Sequence, residues 1–131
     1  MSLNDEERAL MVALELERAR KLIVETEKIS DLGMWNTAAS RLYYALFHAV
    51  SDLLINDERP VCSHKGVNLR FGQHYVQTGI FTAEDGRLYT QLQSLRERAD
   101  YNILFEASEE DVRQMLPPVK SLLKRIEQYL S

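Results

Sequence analysis

A chain of 131 residues, 45% hydrophobic and 27% charged, has the make-up of one globular domain and is long enough to bury a core without disulfides or metal. Its lone cysteine, Cys62, excludes an internal disulfide and a thiolate zinc cluster, and sets the expectation of a reducing, cytoplasmic compartment. A net charge of −4 and a pI of about 5.4 exclude a protein that coats nucleic acid through bulk positive charge, so any RNA contact has to be local. No apolar run approaches the roughly 18 residues of a membrane span, and the start Asn4-Asp5-Glu6-Glu7 lacks the basic region of a secretion signal, so no membrane partner is expected.

Helical periodicity runs through almost the whole chain, without sustained strand-type alternation. The first helix is expected over residues 5–29, opened by a capping-box pair of Asn4 and Glu7 and closed at Gly33. The second covers 34–55 and stops at Asn56-Asp57-Glu58-Arg59-Pro60. The third covers 63–78 up to Gly79, and the fourth covers 82–101 behind the cap pair Thr82 and Asp85. The fifth covers 109–130 behind Ser108 and Asp111, with a kink or restart expected at Pro117-Pro118, where the rings remove donors and crowd earlier carbonyls. Short connections favour antiparallel neighbours, so the expected fold is all-α: an up-and-down antiparallel helical bundle of about five helices, one domain over residues 1–131.

At 100° per residue the second helix places Trp35, Ala38, Ala39, Leu42, Leu46, Ala49, Val50 and Leu53 on one apolar face. Its small residues permit close packing and mark it as the central helix. Thr37, Arg41, Tyr44, His48 and Asp52 fall on the other side, with Asp52 four residues beyond His48 and in position to accept from the imidazole. A cation, a phenol and an oriented His can hold a phosphate or a base edge. The alternative is a stripe packed against a neighbouring helix or a second subunit.

In the third helix, His64 and Lys65 lie at an N-terminus whose free N–H groups favour an anion. His64 also shares a side with Val67, Phe71 and Tyr75, which suits a His packed at the helix entrance. In the fourth helix, Leu88, Leu92, Leu95 and Ala99 form the core stripe, flanked by Tyr89, Gln93, Arg96 and Asp100. Three His and one Cys without a His-Glu-x-x-His or Cys-x-x-Cys pairing give no metal site, and the scattered glycines form no phosphate-binding loop, so no cofactor is expected.

Tyr43-Tyr44-Ala45-Leu46-Phe47-His48, Ser63-His64-Lys65-Gly66, the Phe71 to Gly79 stretch and Arg96-Glu97-Arg98-Ala99-Asp100-Tyr101 together resemble the HEPN family, over nearly residues 10–130. The resemblance implies a four-helix core plus an additional helix, and a homodimer with a polar cleft at or beside its interface. It also implies an association with nucleotide or RNA, and a partner such as an antitoxin or a small nucleotidyltransferase. HEPN ribonucleases carry an Arg followed, after four to six intervening residues, by a His. Counted from Arg96, that position holds Tyr101. The catalytic candidates are therefore Arg96, Tyr101 and His48, and the ligand-binding candidates Arg41, Tyr44, His48, Asp100, His64 and Lys65. An enzyme of this kind would be a metal-independent endoribonuclease, but a phenol with an ordinary pKa near 10 lies about three units from a useful base at pH 7. The expectation is a protein of the toxin–antitoxin or nucleotidyltransferase-associated kind that binds nucleotide or RNA in a polar cleft of helices 2 and 4. A weak ribonuclease using Arg96, and a purely structural interaction module, are the alternatives.

Overall fold

The computed structural model describes residues 3–61 and 63–131, and Cys62 therefore lies outside the described residues. Five helices form: α1 (Asp5–Asp31), α2 (Trp35–Asn56), α3 (His64–Phe71), α4 (Ala83–Tyr101) and α5 (Glu109–Leu130), with no strand among the described residues. The side chains of Asn4, Thr82 and Ser108 accept from the backbone N–H of Glu7, Asp85 and Asp111, and each acid accepts in return from the cap N–H. Local hydrogen bonding thus sets three helix starts, each worth about 1 kcal/mol. At α3 the Ser63 hydroxyl accepts from Gly66 N–H at 2.9 Å, and a Cβ on Gly66 would come within 2.7 Å of that oxygen. A side chain there would disturb the cap. Beyond Phe71 the helix loosens into one π-helical turn, Gly72–Val76, closed by Gln77 N–H donating to the Gly72 carbonyl at 2.9 Å.

The Pro117-Pro118 pair does not break α5, which runs unbroken from Glu109 to Leu130. The carbonyls that lose their donors belong to Arg113 and Gln114, both exposed, so water can take the place of the missing bonds. No helix among the described residues is long and apolar enough to cross a membrane.

Ion pairs give the directions of the helices. Glu25 meets Arg41 and Glu15 meets His48, so α1 and α2 are antiparallel; Arg20 meets Glu127 and Glu27 meets Lys120, so α1 and α5 are antiparallel too. Tyr43 under Arg96, and the Asn36 side chain accepting from Ala107 N–H at 2.6 Å, run α4 against α2. The four long helices form an up-and-down bundle, with α3 as the additional short element. Helix α2 touches all the others and buries Ala38, Ala39, Leu42, Ala45, Leu46, Ala49, Val50 and Leu53. On the α4–α5 side, Arg125 donates to both oxygens of buried Asp85 at 2.7 and 2.8 Å, and the cap bonds from Thr82 help hold that carboxyl below its usual range against the opposing effect of burial.

Asp52 departs from its expected role. His48 Nδ1 pairs with Glu15 on α1 at 2.6 Å, a carboxylate reaching across the helix pair, while Asp52 is turned inside, fully buried, with neither oxygen hydrogen-bonded. Burial, reinforced by the charge of Glu15, pushes its carboxyl up to about 8 from an unfolded value of 3.8. Because the folded value is the higher one, folding favours protonated Asp52: its contribution is complete below about pH 4 and is lost as pH rises through 8. Asp52→Asn, neutral throughout, is predicted to be more stable than wild type at pH 8 to 9 by about 1 kcal/mol or more, the worth of a single pKa unit. Circular dichroism melts across pH should show that gap closing toward pH 4.

Candidate functional site

The polar site lies where α2, the first turn of α3 and the C-terminal half of α4 meet. Helical spacing puts Tyr43, Tyr44 and Phe47 along one flank of α2, and Arg96 of α4 packs onto it. Arg96 is 4% exposed, and its guanidinium sits 4.7 Å from the ring centre of Tyr43, 5.7 Å from that of Tyr44 and 5.8 Å from that of Tyr101. Its polar contacts are long: Nη1 is 3.5 Å from the Tyr101 hydroxyl and 3.8 Å from an Asp100 oxygen, and Nε has no partner. Burial draws its pKa down, but Tyr44, Tyr43 and Tyr101 outweigh this and leave it above the usual value, so the charge is permanent. The result is a desolvated cation cushioned by aromatic faces and lacking a close counter-ion.

His64 stands beside it. The Tyr43 hydroxyl is 2.7 Å from His64 Nδ1, and the imidazole lies 4.5 Å from the Phe47 ring. Burial, then the charge of Arg96 and that of His48, hold His64 below its ordinary value, against an upward pull from Glu97. Burial raises the Tyr43 phenol, which keeps its proton. At neutral pH the pair is a protonated phenol joined to an uncharged imidazole.

The expected residues divide between two sides of α2. Tyr44, His64, Arg96, Asp100 and Tyr101 gather where α2, α3 and α4 meet, with Lys65 exposed one residue beyond His64. Arg41 and His48 do not join them: Arg41 meets Glu25 at 3.7 Å and His48 meets Glu15 at 2.6 Å, both on α1. A stripe at spacings of three and four spreads over enough of α2 to serve two neighbours, and the acids of α1 claim its outer edge. Tyr43 is the residue that sequence reasoning left out. It borders the apolar face, and the signal was the aromatic group Tyr43, Tyr44 and Phe47 flanking a His. No group of three or more His, Cys, Asp or Glu side chains able to hold a metal ion occurs among the described residues.

Four long antiparallel helices and a short third helix define an all-α bundle class. The family model of the HEPN domain matches residues 12–129, and the chain belongs to the HEPN domain family. It is similar to a UPF0332 protein of Thermotoga maritima, 31% identical over 113 residues that make up 86% of each chain. Two proteins of Methanocaldococcus jannaschii, each named "Putative toxin", are 26% and 29% identical, covering 88% and 91% of this chain and 78% and 84% of their own.

The arrangement predicts that Arg96→Gln, by removing a neighbouring positive charge, raises the His64 pKa. Histidine-detected NMR titration of both proteins checks the direction.

Proposed function

We propose that the chain is a toxin-type HEPN protein that binds nucleotide or RNA in the cleft of α2 and α4, with Arg96 taking a phosphate. The observation that carries this reading is a guanidinium that is 4% exposed, unpartnered at Nε and no closer than 3.8 Å to a carboxylate. A planar fork of donors in a dry aromatic setting is matched by the oxygens of a phosphate. Tyr101 covers it at 77% exposure, held only by a 3.5 Å contact, so it can swing aside to admit the anion. The toxin names of two relatives support the toxin-type role.

The protein acts as a homodimer, paired with an antitoxin or a small nucleotidyltransferase. Support for the dimer comes from Tyr101, Ile103 and Leu104, which are 77%, 98% and 93% exposed at and just beyond the end of α4, an apolar edge that a second copy would cover. Size-exclusion chromatography with light scattering is expected to give a dimer, and Ile103→Glu with Leu104→Glu a monomer.

A second reading, weak metal-independent RNA cleavage, draws on His64. An uncharged imidazole beside Arg96 places a base next to a phosphate-binding cation. It requires that Nδ1–H donates to Tyr43, leaving the Nε2 lone pair to take the 2′-hydroxyl proton.

Thermal shift and fluorescence anisotropy with ATP, GTP and short RNA test both readings. Binding should fall about tenfold or more in Arg96→Gln, as expected for lost hydrogen bonds to a charged group. Gel analysis of the incubated RNA separates binding from cleavage, and cleavage that His64→Ala abolishes establishes the second reading. A flat response to every ligand leaves only a helical interaction module.

A further inference from the structure

Alongside the Arg96 site, α3, its π-helical turn and α4 line an open groove of about 540 Å³. This lies within the range of small-ligand sites. Its walls carry the carboxamides of Asn68, Gln73, Gln77 and Gln93, the apolar surface of Leu69 and the ammonium of Lys65; no carboxylate lines it. Gln93 is 8% exposed, and although its amide nitrogen donates to Glu97 at 3.3 Å, its Oε1 is buried without a partner. A buried carbonyl oxygen left unsatisfied costs free energy until a donor reaches it.

The groove continues the Arg96 site. Gln93 precedes Arg96 by one turn of α4, and Lys65 follows His64, which is bonded to Tyr43 beneath the guanidinium. Resting on the reading that Arg96 holds a phosphate, we propose that the groove seats a nucleobase of a single-stranded RNA whose backbone passes Arg96 and Lys65. Carboxamides offer a donor beside an acceptor, the pattern on the edge of an unstacked base, and Leu69, 59% exposed, gives its ring an apolar surface. Several amides, one cation and no acid suit a neutral, hydrogen-bonding ring tethered to a phosphate better than a free anion, which would call for more positive charge.

Gly72 makes the groove testable without touching the core. It lines the groove in ordinary right-handed helical conformation, and a Cβ added there meets no atom within 4 Å. Gly72→Trp should fill the space and Gly72→Ala should leave it open, with both proteins folded by circular dichroism. Anisotropy titrations of labelled single-stranded A, C, G and U octamers are expected to separate the four by about fivefold or more in the wild type, as for one bidentate base contact. Gly72→Trp and Gln93→Leu should level them to within about twofold, while Arg96→Gln weakens all four alike. If Arg96→Gln weakens binding but Gly72→Trp keeps the wild-type order and spread, the base groove is wrong and phosphate binding at Arg96 stands. If Arg96→Gln changes nothing, the phosphate reading fails and the groove proposal with it. Nucleoside monophosphates should not displace the octamers at equal base concentration; displacement would overturn an RNA strand as occupant.

Discussion

The contact on which the site depends is the Arg96 guanidinium laid against Tyr43. A charge this far from water is tolerated only with compensation, and Arg96 finds it in the faces of three tyrosines instead of in a close carboxylate. Each cation–aromatic contact is worth up to about 2 kcal/mol when dry, enough to hold the side chain inside but too little to saturate its donors. Tyr43 is in turn fixed from two sides, by His64 at its hydroxyl and by the Tyr89 ring 6.0 Å away. Rings continue from there: Tyr89 lies 5.9 Å from Phe71, Phe71 6.2 Å from Tyr75, and Tyr75 5.9 Å from Tyr129 of α5. At the far end Asp57 accepts from the Tyr75 and Tyr129 hydroxyls at 2.6 and 2.7 Å. Arg96 therefore rests on a packed aromatic line through the bundle, and its orientation is set by the core.

How much of this could be read from sequence follows from how local each interaction is. Three capping boxes, the apolar face of α2 and the breaks at Gly33 and Gly79 are decided within a few residues, so helix positions were legible. The π turn and the passage of α5 through Pro117-Pro118 were not, because each depends on which backbone groups the surroundings leave to water. Cross-helix pairing was harder still. Asp52 is the obvious partner for His48 when α2 is considered alone, yet Glu15, thirty-three residues earlier, occupies that place once α1 folds back. The same fold-back takes Arg41 to Glu25. Residues of matching chemistry on one helix face need not share a site, since the register of the neighbouring helix divides them.

His64 shows the converse. From sequence a His packed at the helix entrance was favoured over an anion ligand, and its ring does lie against Phe47, while Nδ1 meets Tyr43 beside Arg96. What it can do chemically depends on one proton. With the Tyr43 hydroxyl donating, Nε2 carries hydrogen and can only donate. With Tyr43 accepting, Nε2 is a base. The burial that lowers His64 also raises the Tyr43 phenol, so neither ionises near neutral pH and the pair can switch only by exchanging which atom donates.

That constraint also bears on Tyr101, the position where the resemblance led to the expectation of a His. A His at position 101 would place a second imidazole within reach of Arg96 and suppress its own protonation through that charge. Tyr101 instead gives Arg96 an aromatic face and a neutral hydroxyl, which steadies the guanidinium without supplying a base. With three aromatic faces on its cation and its one neighbouring imidazole tied to a phenol, the site sets a buried positive charge beside an uncharged ring. The cleavage proposed as a second reading would require that phenol to accept from Nδ1–H.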